Sequence, residues 1–207
     1  MTNEKISRQV NSDVPAIKNK LRELIRYASF TRFKMHTGCD NAEILELGFS
    51  FKPGRILANN MVFLLVSGSA LRVTFKVHFN ITDGKDLAFL VFGGNCPSDI
   101  SSRQAIDYFK EYNNLVAGHI VTLFEKINIG LGMSLPLCTR GFYEVFSDYT
   151  EQDHPVITYS DFWELRVNDN TVYCSAMMEI LDKKSLERLL DFEITEEVSA
   201  DAEMDFL

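Results

Sequence analysis

Three polar side chains within residues 105–124 could form one chemically active cluster. Asp107, Glu111 and Asn114 are spaced by four and three residues, which places them on one face of an α-helix. The amide of Asn114 both donates and accepts hydrogen bonds and stays neutral, so it suits the positioning of a water molecule. The carboxylate of Glu111 suits pairing with a cation on a partner. Pro136 follows Asn114 after 21 intervening residues.

The stretch that carries these residues has the periodicity of an amphipathic helix. Apolar side chains repeat at about 100° per residue on the opposite side. They are Ala105, Phe109, Tyr112, Val116, Ile120 and Leu123. We expect this stripe to face the protein and the polar cluster to face water. An exposed face of this composition is by itself typical of a solvated helix surface, so the functional interpretation depends on the joint spacing that ends at Pro136.

That joint spacing resembles the signature of the CheC/CheX/FliY chemotaxis phosphatases, which reads Asp or Ser, x3, Glu, x2, Asn, x21, Pro. In this chain Asp107, Glu111, Asn114 and Pro136 fill it. The pair Ala117–Gly118 also matches the usual Asn-x-x-Ala-Gly of the family.

The earlier predicted helix lacks a second signature, because no asparagine follows Glu23 by three residues. A single signature is similar to the CheX type. The resemblance therefore suggests a CheX-like homodimer.

The resemblance implies a phosphatase that hydrolyses the aspartyl phosphate of a CheY-like response regulator. Glu111 would contact the lysine of the regulator, and Asn114 would orient the attacking water. Asp107 would be a supporting residue near the start of the helix, and Pro136 would shape the adjoining loop. Gly118 lies on the same face, where a missing side chain lets a partner backbone approach. No cofactor is expected on this chain, since the magnesium ion would belong to the phosphorylated receiver domain.

Two other hypotheses about the function stay open. A non-catalytic sensor or adaptor could use the same helix face to bind a response regulator without changing the phosphate lifetime, and a purely structural relative would bind none. Tyr112 and Asn113 stand where relatives often have small or apolar residues. Tyr112 falls on the apolar stripe. Asn113 falls at its edge, where it could offer a competing amide.

The composition of the 207-residue chain indicates a cytoplasmic protein without membrane insertion. No positively charged segment followed by an apolar run opens the chain, and the apolar run at residues 61–66 is too short to span a bilayer. Four scattered cysteines without a CxxC pair predict buried thiols in a reducing compartment. The HxxC spacing of His36 and Cys39 has no second ligand pair, so no metal site is expected.

The net charge of −8 is concentrated at the C-terminus. Residues 191–207 hold seven acids and no base, which leaves the rest of the chain near −1. Such a tail argues against nucleic acid as a partner. One interpretation of the tail is a solubilising end. The other is a docking peptide, because apolar residues stand among its acids. We therefore divide the chain into a flexible arm (1–13), a CheC/CheX-like domain (14–190) and an acidic tail (191–207).

The order of predicted elements fits the α+β fold that the resemblance implies, with two loosely related helix-strand halves sharing one sheet and the long signature helix on the surface. Helices are predicted over residues 14–30, 85–92 and from a cap at Ser98 or Asp99 to about Lys126, with a short closing helix around 186–190. Strands are predicted over 43–51, 60–67, 71–79, 141–149, 156–167 and 171–181. The strand at 71–79 alternates, so His78 is expected on a solvated face.

Overall fold

The computed structural model describes residues 13–47, 58–140 and 156–194. Its helices are α1 (Val14–Thr37), α2 (Ile81–Phe92), α3 (Ser102–Glu125) and α4 (Lys183–Leu186). Its strands are β1 (Glu43–Glu46), β2 (Asn60–Ser67), β3 (Leu71–Phe79), β4 (Gly132–Met133), β5 (Leu137–Arg140), β6 (Ile157–Val167) and β7 (Asn170–Ile180). Outside the described residues lie the predicted strand at 141–149, part of the one at 43–51, almost all of the N-terminal arm and most of the acidic tail.

One antiparallel sheet organises these elements. The strands run in the order β1, β6, β7, β3 and β2, and both β4 and β5 pair with the free side of β2. The predicted α+β class with a single shared sheet is therefore confirmed. Asn168 has a positive φ of 53° and lies in the two-residue turn between β6 and β7, as the Asn-Asp-Asn stretch predicts.

The strand order divides the chain into two halves of similar layout. Each half has a 24-residue helix, α1 or α3, then edge strands, a pair of long strands and a short helix. The last long strands, β3 and β7, lie side by side in the middle of the sheet. The edge strands are exchanged, because β1 of the first half pairs with β6 and β4 and β5 of the second half pair with β2.

The core lies between the sheet and the two long helices. Phe75 of β3 stacks on Trp163 of β6 with ring centroids 6.0 Å apart, and it meets Tyr112 of α3 edge-on at 6.3 Å. All three side chains are fully buried. Because aromatic pairs bury large areas and favour defined geometries, they fix the inner face of α3 on the sheet.

The helix boundaries correct several predictions. Helix α1 continues past Phe30 and ends at Gly38, whose φ of 66° suits glycine and whose N–H donates to the carbonyl of Lys34 at 2.9 Å. Helix α2 begins at Ile81, four residues before the predicted start at residue 85, and it contains Gly84. A Cβ on Gly84 would lie 3.2 Å from Phe109, which shows that glycine here allows α2 and α3 to pack closely.

The prediction of a solvated His78 is wrong. Its side chain is only 3% exposed, and its Nε2 lies 3.2 Å from the hydroxyl of Ser175 on β7. Lys76 on the same face of β3 is 5% exposed. The alternation along β3 separates its two faces, but both faces are covered near this end of the strand.

The cysteines only partly follow the expectation of buried thiols. Cys174 is buried, whereas Cys39, Cys96 and Cys138 are half-buried, and all four thiols are free. Within residues 13–47, 58–140 and 156–194, no helix combines the length and hydrophobicity that crossing a bilayer requires.

Replacing Gly68 with alanine should loosen the edge of the sheet that leads to Pro136. A Cβ on Gly68 would lie 2.3 Å from the carbonyl oxygen of Gly130, a contact that forces residues 130–133 away from β2. We expect the free energy of unfolding to fall by about 1–3 kcal/mol, as for other overpacking substitutions. Chemical denaturation would measure it. Gly130→Ala is the matched control, since a Cβ there meets nothing within 4 Å. Equal stability of the two variants would contradict the prediction.

Candidate functional site

Helix α3 presents the predicted polar residues on one face. Its predicted apolar stripe is buried along its whole length. On the opposite side Asp107 and Glu111 are exposed, and Asn114 and Gly118 are half-buried. A Cβ on Gly118 would meet nothing within 4 Å, so this part of the face is open. The structure thus places two carboxylates, one amide and a glycine without a side chain on the same face of α3.

The start of α3 is defined by Ser101. Its hydroxyl accepts from the N–H of Gln104 at 3.2 Å, and the side chain of Gln104 accepts from the N–H of Ser101 at 2.9 Å, which forms a capping box. The prediction of a cap at Ser98 or Asp99 is wrong, because Pro97–Asp99 forms a separate 3-10 turn. The helix therefore starts about one turn later than predicted, and Asp107 lies in its second turn.

Asp107 is held by local cations. Its carboxylate lies 3.7 Å from Nε of Arg103 and 3.9 Å from Nζ of Lys110, and its side chain is 52% exposed. Long ion pairs at such exposure contribute little to stability. They do partly neutralise Asp107, whereas Glu111 forms no ion pair within residues 13–47, 58–140 and 156–194.

Asn114 has unused hydrogen-bonding capacity at the centre of the cluster. Its Oδ1 is inaccessible to solvent and has no hydrogen-bond partner among the residues that the structure describes. The neighbouring Asn113 is fully buried, and both its Oδ1 and Nδ2 lack partners. Each unsatisfied buried polar group costs on the order of 1–3 kcal/mol. Two adjacent asparagines that carry this cost are more typical of a functional site than of a helix chosen for stability.

The position of Asn113 differs from the prediction. It lies inside the apolar stripe, at 0% exposure, rather than at its edge. It therefore offers no competing amide to a partner at the surface of the free protein.

The segment that contains Pro136 lies beside this face. Pro136 connects β4 to β5, and both strands pack against α3. Burial raises the pKa of the Cys138 thiol on β5, while Lys110 opposes that rise and Asp107 adds to it. Cys138 is therefore within electrostatic reach of Asp107 and Lys110 near the start of the polar face, and Pro136 lies two residues before it in the chain.

A buried polar network ties α3 to α1 and the sheet. The hydroxyl of Tyr112 donates to the carbonyl of Ser29 at 3.0 Å and lies 2.8 Å from its hydroxyl oxygen. The indole N–H of Trp163 donates to that same hydroxyl at 3.1 Å. Because the three groups satisfy one another in the core, they fix the rotation of α3 and so the direction in which its polar face points.

The structure adds His36 to the neighbourhood of Glu111. Its ring stacks on Tyr108 with centroids 4.4 Å apart, and its Nε2 lies 3.3 Å from the carbonyl of that residue. Burial lowers the pKa of His36, while the bond to Tyr108 and the negative charge of Glu111 oppose this. The sequence does not indicate that His36 lies near Glu111, because only the packing of α1 on α3 brings the two residues together.

Helix α1 carries a counterpart of the cluster in which only the glutamate is the same. Asn19, Glu23 and Arg26 repeat the spacing of Asp107, Glu111 and Asn114, with arginine in the last position. These three line an open cleft of about 560 Å³ between α1, β1 and β6.

Arg26 is fully engaged by acids. Its Nε and Nη2 donate to Asp161 at 2.7 Å each, and its Nη1 lies 2.5 Å from Glu46. A guanidinium held in this way has no acceptor and cannot orient water as a neutral amide does. The two helix faces therefore differ in chemistry, and only that of α3 carries the amide of the signature.

In the part of the chain that the structure describes, no group of three or more His, Cys, Asp or Glu side chains is arranged to hold a metal ion. The polar face offers only Asp107 and Glu111 as acidic ligands, and Asp107 is already paired with Arg103 and Lys110.

The fold is that of CheC-like and CheX proteins. The chain aligns with a CheC-like superfamily protein from Shewanella sp. PV-4 with a TM-score of 0.56 and 12% identity, over 77% of this chain and 97% of that one. It aligns with CheX from Borrelia burgdorferi, solved as a CheX–CheY–BeF3–Mg complex, with a TM-score of 0.58 and 13% identity, over 76% and 96%. A chemotaxis protein CheX from Desulfovibrio desulfuricans gives 0.56 and 12%, over 76% and 97%. No protein-family model and no curated protein matches the sequence.

Proposed function

We propose that this chain, which has the fold of CheC-like and CheX proteins, is a phosphatase for the aspartyl phosphate of a CheY-like receiver domain. The observation that carries the proposal is the position of Asn114, three residues after the exposed Glu111 on the same face of α3. The occurrence of CheY in the complex with Borrelia burgdorferi CheX supports a receiver domain as partner.

The chemistry needs little from this chain beyond position and charge. Hydrolysis of an acyl phosphate is promoted chiefly by placing a water in line with the phosphorus and by managing the charge around it. In this proposal Asn114 holds that water through its amide. Glu111 pairs with a lysine of the receiver, because a carboxylate aimed at the phosphoryl group itself would repel it. The magnesium ion would be supplied by the receiver and would offset the phosphoryl charge.

The other members of the cluster have supporting roles in this proposal. Asp107 is partly neutralised by Arg103 and Lys110 and so limits repulsion at the rim of the site. Gly118 leaves room for the receiver backbone. Pro136 stiffens the connection between β4 and β5 beside α3.

The proposal is tested by the lifetime of the phosphoryl group on candidate CheY-like receivers with and without this protein. Binding is measured in parallel, with a receiver held in its beryllofluoride form. A shorter lifetime that depends on both Glu111 and Asn114 supports the enzyme. Binding with an unchanged lifetime supports instead an adaptor that keeps the docking face. That second function is favoured by one observation, the burial of Asn114 Oδ1 in the free protein, because the amide must turn before it can reach a water.

Reversing the charge at Glu111 should weaken binding of the receiver. Glu111→Lys would place an ammonium against the lysine that Glu111 is proposed to contact, and we expect the Kd to rise about 10- to 100-fold, as for charged pairs at interfaces. Titration calorimetry at two salt concentrations would measure it. Glu125→Lys makes the same charge change at the exposed end of the same helix and should alter the Kd less than threefold or so. Equal effects of the two variants would show only a general response to net charge.

A further inference from the structure

Three large apolar side chains are exposed on the short strands beside α3. Met133 is 48% exposed, Leu135 is 81% exposed and Leu137 is 58% exposed. They alternate along the segment from β4 to β5 with Ser134 and Pro136 between them. We call Met133, Leu135 and Leu137 the apolar edge.

The apolar edge is held in place by hydrogen bonds to β2. The N–H of Ser134 donates to the carbonyl of Leu65 at 2.8 Å, and the N–H of Leu65 donates to the hydroxyl of Ser134 at 3.0 Å. Met133 and Leu137 lie in register with residues of β2 on either side of these bonds. The exposure of the leucines is therefore a feature of a paired sheet edge. Contiguous apolar surface of this kind marks an interaction site more often than a single exposed leucine does.

The apolar edge belongs to strands that pack against the helix of the candidate site. Strand β5 packs against α3, and Cys138, next to Leu137, is within electrostatic reach of Asp107 and Lys110. Pro136, the last residue of the signature, lies between Leu135 and Leu137. A partner seated on the polar face of α3 would therefore extend onto the apolar edge.

The polar face alone is a poor source of affinity. Stable interfaces bury about 800 Å² on each partner, and their centres are depleted in charged residues. The exposed strip of α3 presents Asp107, Glu111 and their basic neighbours. Charges at such a rim steer and orient a partner more than they hold it. The apolar surface that an interface needs is present next to the strip.

We propose that the apolar edge docks the same receiver domain on apolar surface next to its phosphorylation site, and thereby supplies most of the affinity while α3 supplies the chemistry. This inference rests on the proposed function. The inference separates binding from catalysis. Removing a leucine should weaken binding and leave the bound complex fully active. Removing Asn114 should leave binding nearly unchanged and slow the hydrolysis.

The test uses Leu135→Ser, Leu137→Ser and the control Val91→Ser, which replaces a comparably exposed apolar residue on α2 (43% exposed). The Kd of the beryllofluoride-form receiver and the phosphate lifetime over a range of protein concentrations are measured for each. We expect both leucine variants to raise the Kd at least tenfold, with the wild-type hydrolysis rate recovered at saturating protein. Val91→Ser should match the wild type.

The possible outcomes distinguish a failure of this inference from a failure of the proposed function on which it rests. A leucine variant that keeps the wild-type Kd while the wild type binds and hydrolyses would overturn the apolar edge and leave the phosphatase standing. A leucine variant that changes only the oligomeric state would also overturn it, because the occupant would then be a second copy of the chain. A wild-type protein that binds no receiver would remove the proposed function itself.

Discussion

Replacing Asn114 with alanine should restore most of the intrinsic phosphate lifetime of the receiver while leaving its affinity nearly unchanged. The amide is proposed to place the attacking water, and losing such positioning costs roughly 100-fold in rate. Affinity should persist because Glu111 and the apolar edge remain. The stability of the fold should not fall, since Asn114 Oδ1 makes no hydrogen bond that alanine would break. The measurement is the rate of phosphate loss at saturating protein, with the Kd determined in parallel.

Asn19→Ala is the matched control for this experiment. Asn19 lies on the counterpart face of α1 and is exposed, so its removal should alter neither rate nor affinity. Asn114→Asp adds a second comparison. It keeps the shape of the side chain but adds a negative charge beside the phosphoryl group, so it should lose rate and affinity together. A fully active Asn114→Ala protein would remove the amide from the mechanism.

Replacing Asp161 with alanine should cause a large loss of stability. Asp161 is 6% exposed and accepts two 2.7 Å hydrogen bonds from Arg26, and Arg22 lies 3.7 Å from it. Burial alone would lower the pKa of Arg26, but its bonds to Asp161 and Glu46 raise it above the usual value. Removing Asp161 leaves the largely buried guanidinium of Arg26 with only the exposed carboxylate of Glu46 as an acid partner, so we expect the free energy of unfolding to fall by about 3 kcal/mol. Chemical denaturation would measure it.

Two further variants show whether the loss arises from an unpaired charge. Glu23→Ala breaks the exposed pair with Lys20, whose atoms are 3.1 Å apart, and should cost less than about 0.5 kcal/mol. The double variant Arg26→Met with Asp161→Leu removes both buried charges and should recover much of the stability. If Asp161→Ala costs no more than Glu23→Ala, the bidentate pair does not stabilise α1 on β6.

The periodic elements could be predicted because their information is local. The stripe of α3 follows from apolar residues every three or four positions, and the β6–β7 hairpin follows from alternation around an Asn-Asp turn. The exposure of Asp107 and Glu111 follows from the same periodicity. These features need no knowledge of what packs where.

Features that depend on long-range packing could not be predicted. Alternation along β3 assigns His78 to a face, but whether that face is covered depends on distant segments. Helix α2 starts before its predicted boundary and includes Gly84, where the close approach of Phe109 depends on the packing of α3. The short strands β4 and β5 carry too few residues for a pattern, and pairing with β2 alone defines them.

The candidate site divides in the same way. The spacing of Glu111 and Asn114 is visible in the sequence, and so is the absence of a second signature on α1. That Arg26 is clamped by Asp161 and Glu46, that His36 lies near Glu111, and that Asn113 is wholly buried all depend on which helix meets which strand.

The exchange of edge strands limits how the two halves can change. Among the described strands, the edge strands of each half pair with the other half. Strand β1 pairs with β6, and strands β4 and β5 pair with β2. The chain is arranged like a strand-swapped dimer joined into one polypeptide. Deleting the first half would uncover β6 and remove β3 from the centre of the sheet. The half that carries Arg26 therefore has a structural role whatever its chemistry, because it supplies β2 and β3, with which β4, β5 and β7 of the other half pair.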